Sequence, residues 1–270
     1  MRSGAHLLDL GRRRGALEAL ETARDFTTEV LLAQGRARSS AGQVPEAYPL
    51  IHAALALAPA SQAGDLEARG WSVLLSNLAL QARFDEGVAL ATAGELAVVR
   101  AQKSPLLEGD LACALGLLYH KQRVDLKQAR QEYQSCRDKR ELALGNEHPL
   151  VAAAIAGISS ACSMMGRDRE ARPHYEQALA MVARTIGTGT VLYAGYAMNV
   201  GTVVDAEDPP RALACYQRAL EVFAQVVPES AAEALAHMNL ATESSATCSI
   251  GRSSKDGSPP GLRSVTSRGT

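Results

Sequence analysis

Apolar positions along the chain recur at the spacing of α-helices. In the middle of the sequence, Ile155 and Cys162 lie on one stripe of a predicted helix. Pro149 starts this helix, because a proline is tolerated in a first turn, and Gly166 ends it. A second helix with its own apolar stripe follows and ends at Gly187. Two short helices with one stripe each cannot form a core alone, so the pattern predicts stacking on further copies.

Copies of this helix pair follow one another every 40 to 42 residues. A small residue marks the same place in each second helix: Ala47, Gly87, Ala129, Ala171 and Ala212. Four residues later come Ile51, Ala91, Tyr133, Tyr175 and Tyr216. Seven residues after the small residue come Ala54, Gly94, Cys136, Ala178 and Ala219. About twelve before it, in the first helices, come Gly35, Leu75, Gly116, Ser159 and Gly201. Small residues let helix backbones approach closely, and we expect the tyrosine rings to fill the wedge between helices.

The pattern predicts an all-α chain without a β layer. We expect about five helix pairs and a further half unit, whose first helix begins at Pro228 and runs through Ala241. The predicted organisation is a polar lead with a short helix (1–23), a repeat array (24–241) and a Ser/Thr/Gly-rich tail (242–270). The short helix is expected around residues 16–26, and the first helix of the array from Glu29 to Ser39. The tail has too little to bury to offset its ordering entropy, so we expect it to be disordered.

The repeats resemble the tetratricopeptide repeat (TPR) family. The resemblance rests on the small residue at the eighth position, the Ala at the twentieth, the Tyr at the twenty-fourth and the following Ala-Leu, as in Ala178-Leu179 and Ala219-Leu220. Repeats longer than the usual 34 residues look like the subtype in kinesin light chain, and so does the opening His148-Pro149. The resemblance implies a right-handed α-solenoid of antiparallel helix pairs.

Composition agrees with closely packed helices and gives no sign of a charged or lipid partner. The chain is 47% hydrophobic but only 4% aromatic, which is typical of an Ala/Leu/Val interior. A formal net charge of −1 offers no general attraction to nucleic acid or to an anionic membrane. No apolar run approaches the roughly 20 residues of a membrane span, and the first residues lack a signal-peptide core. These features predict a cytoplasmic protein without membrane insertion.

Catalytic and metal-binding motifs are not found, and we expect no enzyme activity, cofactor or metal. Gly187-Thr188-Gly189 lacks a preceding strand and a third glycine, so it ends a helix and is not a phosphate loop. The five cysteines share no Cys-x-x-Cys spacing, and four lie at helical positions. Reduced thiols are therefore favoured over zinc ligands or disulfides. The six histidines are scattered, and structural roles are favoured for them.

Candidate site residues come from the resemblance, which implies that the first helices line a groove for a protein or peptide. The positions that carry over to this groove are Glu29, Arg36, Arg69, Ser76, Asp110, His120, Ser160, Ser163 and Thr202. The set lacks the lysines and asparagines by which chaperone-binding relatives hold a C-terminal carboxylate, so we do not predict that ligand. For each residue, a plain solvated surface remains an equal alternative.

Two hypotheses for function follow. The first is a non-catalytic scaffold that binds a protein partner through the groove. The alternative is a regulatory or substrate-recruiting segment separated from a bacterial serine/threonine protein kinase, since similar repeats form the C-terminal parts of such kinases. The sixth unit stops after one helix, so we expect the chain to be a fragment of a longer array. Its last apolar face would otherwise be free for self-association.

Overall fold

The structure is a computed structural model that describes residues 2–58 and 64–253, with side chains over 17–58 and 64–242. Eleven α-helices and no strand are present in these ranges. The helices are α1 (Arg2–Ser40), α2 (Val44–Leu57), α3 (Asp65–Leu80), α4 (Phe84–Arg100), α5 (Pro105–Gln122), α6 (Leu126–Leu144), α7 (Pro149–Met164), α8 (Asp168–Thr185), α9 (Val191–Val204), α10 (Pro209–Val226) and α11 (Ala231–Ser253). The predicted all-α class is confirmed.

The chain forms two compact units, Met1–Gly187 and Thr188–Thr270. The first contains the helix pairs α1/α2, α3/α4, α5/α6 and α7/α8, and the second contains α9/α10 and α11. In the first unit, α1 packs against α3, α3 against α5, and α5 against α7. The first helices of successive pairs are therefore neighbours, and we call the surface they share the first-helix face.

The repeated small residues form the interior of these pairs. Ala47, Ala129, Ala171 and Ala212 are all fully buried, and so are the equivalent residues seven positions later: Ala54, Cys136, Ala178 and Ala219. Packing at these positions depends on small side chains, because a larger one would push the neighbouring helix away. The same interior therefore recurs in both units.

The tyrosine rings lie against glycines of neighbouring helices. A Cβ atom added to Gly116 in α5 would lie 2.8 Å from the Tyr133 ring, and one added to Gly157 in α7 would lie 2.5 Å from it. In the second unit, a Cβ added to Gly201 would lie 2.6 Å from the ring of Tyr216. Each ring thus fills space that an absent side chain leaves open, which confirms the predicted wedge.

The helix ends also follow from the sequence. Pro149 occupies the first turn of α7, and the His148 Nδ1 atom accepts a hydrogen bond from the Leu150 N–H at 3.1 Å. Gly166 and Gly187 follow the ends of α7 and α8 with φ angles of +72° and +90°. Only glycine adopts this left-handed conformation without strain, so these two residues end the helices where predicted.

Three predicted boundaries are wrong. The first helix is continuous over Arg2–Ser40 instead of starting at Glu29, because residues 2–40 contain no proline that would interrupt it. Helix α11 begins at Ala231 and not at Pro228, since Glu229 has a φ of +59° and the Ser230 Oγ accepts the hydrogen bond of the Glu233 N–H. The helix continues to Ser253, into the segment predicted to be disordered, and residues 254–270 lie outside the described residues.

Candidate functional site

A cavity of about 480 Å³ opens on the first-helix face of the first unit. Helices α1, α3 and α5 contribute most of its wall, with single residues or pairs from α6 and α7. The lining residues are Arg36, Ser39, Ser40, Ser72, Val73, Ser76, Asn77, Leu80, Asp110, Cys113, Ala114, Leu117, Tyr133, Arg140 and Leu150. Its volume is in the usual range for a ligand site, and its wall combines apolar and charged groups.

One ion pair crosses the cavity wall between α5 and α6. The Arg140 guanidinium donates from Nη2 and Nε to the Asp110 Oδ1 atom at 2.7 and 3.2 Å. Its Nη1 donates to the Leu150 carbonyl oxygen at 2.8 Å, which ties α6 to the start of α7. The Arg140 side chain is only 10% exposed, so its charge depends on these partners. The Asp110 carboxylate is therefore already committed to Arg140.

Arg36 is a second cation in the same wall, and no carboxylate forms an ion pair with it in the described part of the chain. Within the described part of the chain, no ion pair or side-chain hydrogen bond joins Arg36 to another residue. Arg36 is an exposed residue, yet partial desolvation at the wall lowers the pKa of its guanidinium; the Asp110 charge opposes this effect, while Arg69 and Arg140 add to it. The cavity thus holds two guanidinium groups and one carboxylate.

Amide and hydroxyl groups complete the wall beside Arg36. The Asn77 Nδ2 atom donates to the Ser39 Oγ and to the Val44 carbonyl oxygen, both at 3.0 Å. These bonds connect α3 to the end of α1 and the start of α2. The Ser76 hydroxyl donates to the Ser72 carbonyl oxygen at 2.9 Å. This part of the wall is held in place by hydrogen bonds within the protein.

The nine residues predicted for the groove do not all lie in one site. Arg36, Ser76 and Asp110 line the cavity together. Glu29 and Arg69 lie apart from the lining, and their side chains approach to 3.6 Å as an ion pair between α1 and α3.

The remaining four predicted residues also lie outside the cavity lining. The Ser160 Oγ lies 3.4 Å from the His120 Nε2, and the Ser163 hydroxyl donates to Asp168 at 2.6 Å. Thr202 belongs to the second unit, where it donates to the Met198 carbonyl oxygen. The structure therefore brings together three of the nine.

The family resemblance indicated only first-helix positions for the groove, and Arg140 lies on a second helix. It lies eleven residues after the small residue Ala129 of its repeat. The equivalent positions in the other second helices are buried and apolar: Ala58, Val98, Val182 and Phe223. Every other repeat buries an apolar side chain at this position. The charge at this position is therefore a sequence signal that could have indicated Arg140.

The prediction of reduced cysteines is wrong for one pair. Cys113 in α5 and Cys136 in α6 form a disulfide, with Cα atoms 5.2 Å apart. Cys113 lies nine residues before the end of α5, and Cys136 lies ten after the start of α6, so the antiparallel hairpin brings them face to face. Cys162 is buried and is not part of a disulfide. The bond holds together the two helices that carry Asp110 and Arg140.

The His120 ring has a half-buried place next to Tyr133. The ring centroids lie 6.2 Å apart in an edge-to-face arrangement, and the buried His120 Nδ1 has no hydrogen-bond partner among the described residues. Burial lowers the pKa of His120, and the positive charges of Lys121 and Arg123 lower it further. The neutral ring is therefore the form that the folded protein favours.

This lowered pKa predicts a loss of stability at acid pH. Because the unfolded chain binds a proton near the usual histidine pKa and the folded chain binds it only at lower pH, the free energy of unfolding should fall as the pH drops through that interval. We expect His120→Gln to flatten this part of a urea-unfolding profile between pH 7 and pH 5. Ser160→Ala should keep the wild-type slope, since burial and not that hydrogen bond causes the shift. Parallel profiles for wild type and His120→Gln would contradict the assignment.

The described ranges contain neither a metal-ion cluster nor a membrane-spanning helix. No group of three or more His, Cys, Asp or Glu residues there could hold a metal ion. None of the helices described is both long and apolar enough to cross a bilayer.

Part of the chain is similar to a known repeat family. Residues 109–184 match the family model described as tetratricopeptide repeat. They span most of α5, all of α6 and α7, and nearly all of α8. No curated protein sequence matches the chain.

Solved structures share the fold at low sequence identity. BtubC (BKLC) from P. vanneervenii is 19% identical over 94% of this chain and 98% of that chain, with a TM-score of 0.60. A protein of Podosopora anserina assigned as a kinesin light chain, with nearly identical TPR-like repeats, is 16% identical over 75% of this chain and 97% of its own, with a TM-score of 0.52. Residues 109–184 are therefore similar to tetratricopeptide repeats, and the chain shares its fold with these solved repeat structures.

Proposed function

We propose that the chain is a non-catalytic scaffold that binds a protein partner through the first-helix face. The observation that carries this proposal is the 480 Å³ cavity, to which three successive first helices contribute charged, hydroxyl and apolar side chains. Stacked helical repeats use such extended surfaces for binding. The solved relatives are 19% and 16% identical to this chain, so they show its fold but not its partner. The partner must be inferred from this chain's own residues.

The arrangement of the site supports binding over chemistry. The Asp110 carboxylate is engaged by Arg140, and the Ser76 hydroxyl donates to its own helix. Nucleophilic catalysis requires a base that activates the nucleophile, and neither group is paired with one. We therefore propose that the site works without a catalytic residue or cofactor.

The proposed function predicts that filling the cavity abolishes partner capture. Ser76→Trp should place an indole in the cavity and prevent a partner side chain from entering. Thr92→Trp adds the same ring to an exposed position on the second helix α4 and serves as the matched control. Proteins retained by wild type and by Thr92→Trp, but lost by Ser76→Trp in quantitative mass spectrometry, would support the proposal. Equal retention by all three forms would remove the cavity from the account.

Self-association through α11 is a further part of this proposal. Leu235 and Met238 are 48% and 65% exposed on this helix, which offers apolar area to a second copy. Sedimentation equilibrium tests the idea, because Met238→Lys should shift an oligomer toward the monomer. A wild type that stays monomeric at high concentration would refute it.

A cytoplasmic location is also proposed. Reductants in the cytosol keep most thiols reduced, so there we expect the Cys113–Cys136 bond to open and close with redox conditions. Fractionation combined with thiol labelling tests this, and recovery only in an oxidising compartment would contradict it.

The alternative function, a recruiting segment of a bacterial protein kinase, rests on the sequence resemblance alone. An in-frame kinase domain upstream of Met1 in the gene would support it, and its absence there would dismiss it.

A further inference from the structure

We propose that Cys113 is a modification site for a low-molecular-weight thiol, which enters the cavity of the first-helix face and exchanges with the Cys113–Cys136 disulfide. The product carries the small thiol on Cys113 and leaves Cys136 as a free thiol. This inference goes beyond the proposed scaffold function, because it requires no protein partner in the cavity.

Cys113 lies on the side of α5 that faces the cavity. The residues of this helix that line the cavity are Asp110, Cys113, Ala114 and Leu117. Positions separated by three, four and seven residues share one face of a helix. Cys113 is also half-buried and not enclosed by the core. A molecule in the cavity therefore meets this end of the disulfide.

Cys136, the other end of the disulfide, is closed off. It is fully buried and packs with Ala112 and Ala154 in an apolar cluster. On α6, Tyr133 and Arg140 line the cavity on either side of Cys136, which is not part of the lining. Access decides which sulfur of a disulfide is attacked, so a thiol from solvent reaches the bond from the Cys113 side.

The cavity has room for such a molecule. Its volume of about 480 Å³ lies within the roughly 300–1,000 Å³ that small-molecule sites occupy. It also opens to solvent on the first-helix face, so the thiol enters without unfolding of α5 or α6. A tripeptide thiol such as glutathione is therefore a suitable probe.

The exchange needs no oxidant or reductant besides the small thiol. The attacking thiolate forms a bond to the Cys113 sulfur, the bond to Cys136 breaks, and its electron pair leaves with the Cys136 sulfur. The proton that the small thiol lost on ionisation is balanced by the proton that Cys136 takes up. Because the Cys136 thiol stays beside the new bond, the reverse attack restores the original disulfide and releases the small thiol.

Peptide mapping of the wild-type protein tests which sulfur is modified. Native protein is incubated with reduced glutathione, quenched with acid and labelled with a maleimide in denaturant. Mass spectrometry should find glutathione on Cys113 and maleimide on Cys136. Glutathione on Cys136, equal amounts on both, or a bond that opens only after urea is added would overturn the proposal. So would maleimide on both residues before any glutathione is added.

Single cysteine variants measure the access of each sulfur separately. With oxidised glutathione, Cys136→Ala should acquire glutathione on Cys113 at least about tenfold faster than Cys113→Ala acquires it on Cys136, because oxidation of a cysteine follows its exposure. Urea should remove this difference. Alanine at position 136 suits the fold, since Ala54, Ala178 and Ala219 occupy the equivalent places. Equal rates in the folded variants, with wild-type circular dichroism, would contradict the assignment.

A bulky side chain in the cavity tests the route of entry. Ser76→Trp should slow the reaction of the wild-type disulfide with glutathione, whereas the exposed Thr92→Trp should react at the wild-type rate. Equal rates in all three proteins would show that the thiol does not enter through the cavity and would overturn the inference. These rates are measured on purified protein, so that failure would leave the scaffold proposal standing.

Discussion

Replacing Tyr133 with alanine should lower the free energy of unfolding by about 3–5 kcal/mol, the usual cost of removing a large buried aromatic side chain. The ring is 7% exposed and fills the space between Gly116 of α5 and Gly157 of α7. Its loss would open a cavity where two successive repeats meet. Urea denaturation followed by circular dichroism measures the effect. Tyr133→Phe retains the ring and should lose at most about 1 kcal/mol, because only the hydroxyl is removed.

A second substitution shows whether the glycine and the ring are matched. Gly157→Ala should destabilise wild type by roughly 1–3 kcal/mol, since its Cβ would lie 2.5 Å from the ring. In the Tyr133→Ala background, the same change should be neutral or stabilising, because alanine favours a helix more than glycine does. This reversal of sign is a coupling that a double-mutant cycle detects. Additive effects would contradict the wedge.

Loss of the Cys113–Cys136 disulfide should lower the free energy of unfolding by about 3 kcal/mol, because the bond closes a loop in the unfolded chain. The two residues are 23 positions apart in sequence. Cys113→Ala/Cys136→Ala is a mild variant, since alanine already occupies the Cys136 position in other repeats as Ala54, Ala178 and Ala219. We expect its unfolding midpoint to resemble that of reduced wild type.

Reductant supplies the control for this prediction. It should destabilise the wild type but leave the double variant unchanged. Thiol titration in denaturant should detect two more thiols in the wild type after reduction than before it. The number of thiols in the double variant should not change on reduction. Equal stability of oxidised and reduced wild type would show that the bond does not constrain the fold. A wild type whose Cys113 and Cys136 already react before reduction would show that the bond is not formed.

The repeats could be predicted because their information is local. Helical periodicity, Pro149 at a first turn and Gly166 at a helix end each depend on a few neighbouring residues. The match between Gly201 and Tyr216 was also visible, since both recur at fixed positions within the repeat. The sequence therefore predicted the helices and the interior of each pair.

The site was predicted only in part because it depends on the approach of different helices. The repeat positions indicated Arg36, Ser76 and Asp110, but the reach of Arg140 from a second helix depends on how α6 lies against α7. The disulfide was missed for a related reason. Cys113 and Cys136 share no motif, and their proximity follows only when both helices and the turn between them are placed.

Site-specific photo-crosslinking tests the central claim most directly. A photoreactive phenylalanine analogue at Leu117, in the cavity wall, should crosslink a partner protein in living cells, whereas the same analogue at Val88, exposed on α4, should not. Ser76→Trp should abolish the Leu117 crosslink, because its indole fills the cavity. Crosslinking of the partner from Val88 with none from Leu117 would show that binding does not use the first-helix face and would contradict the account.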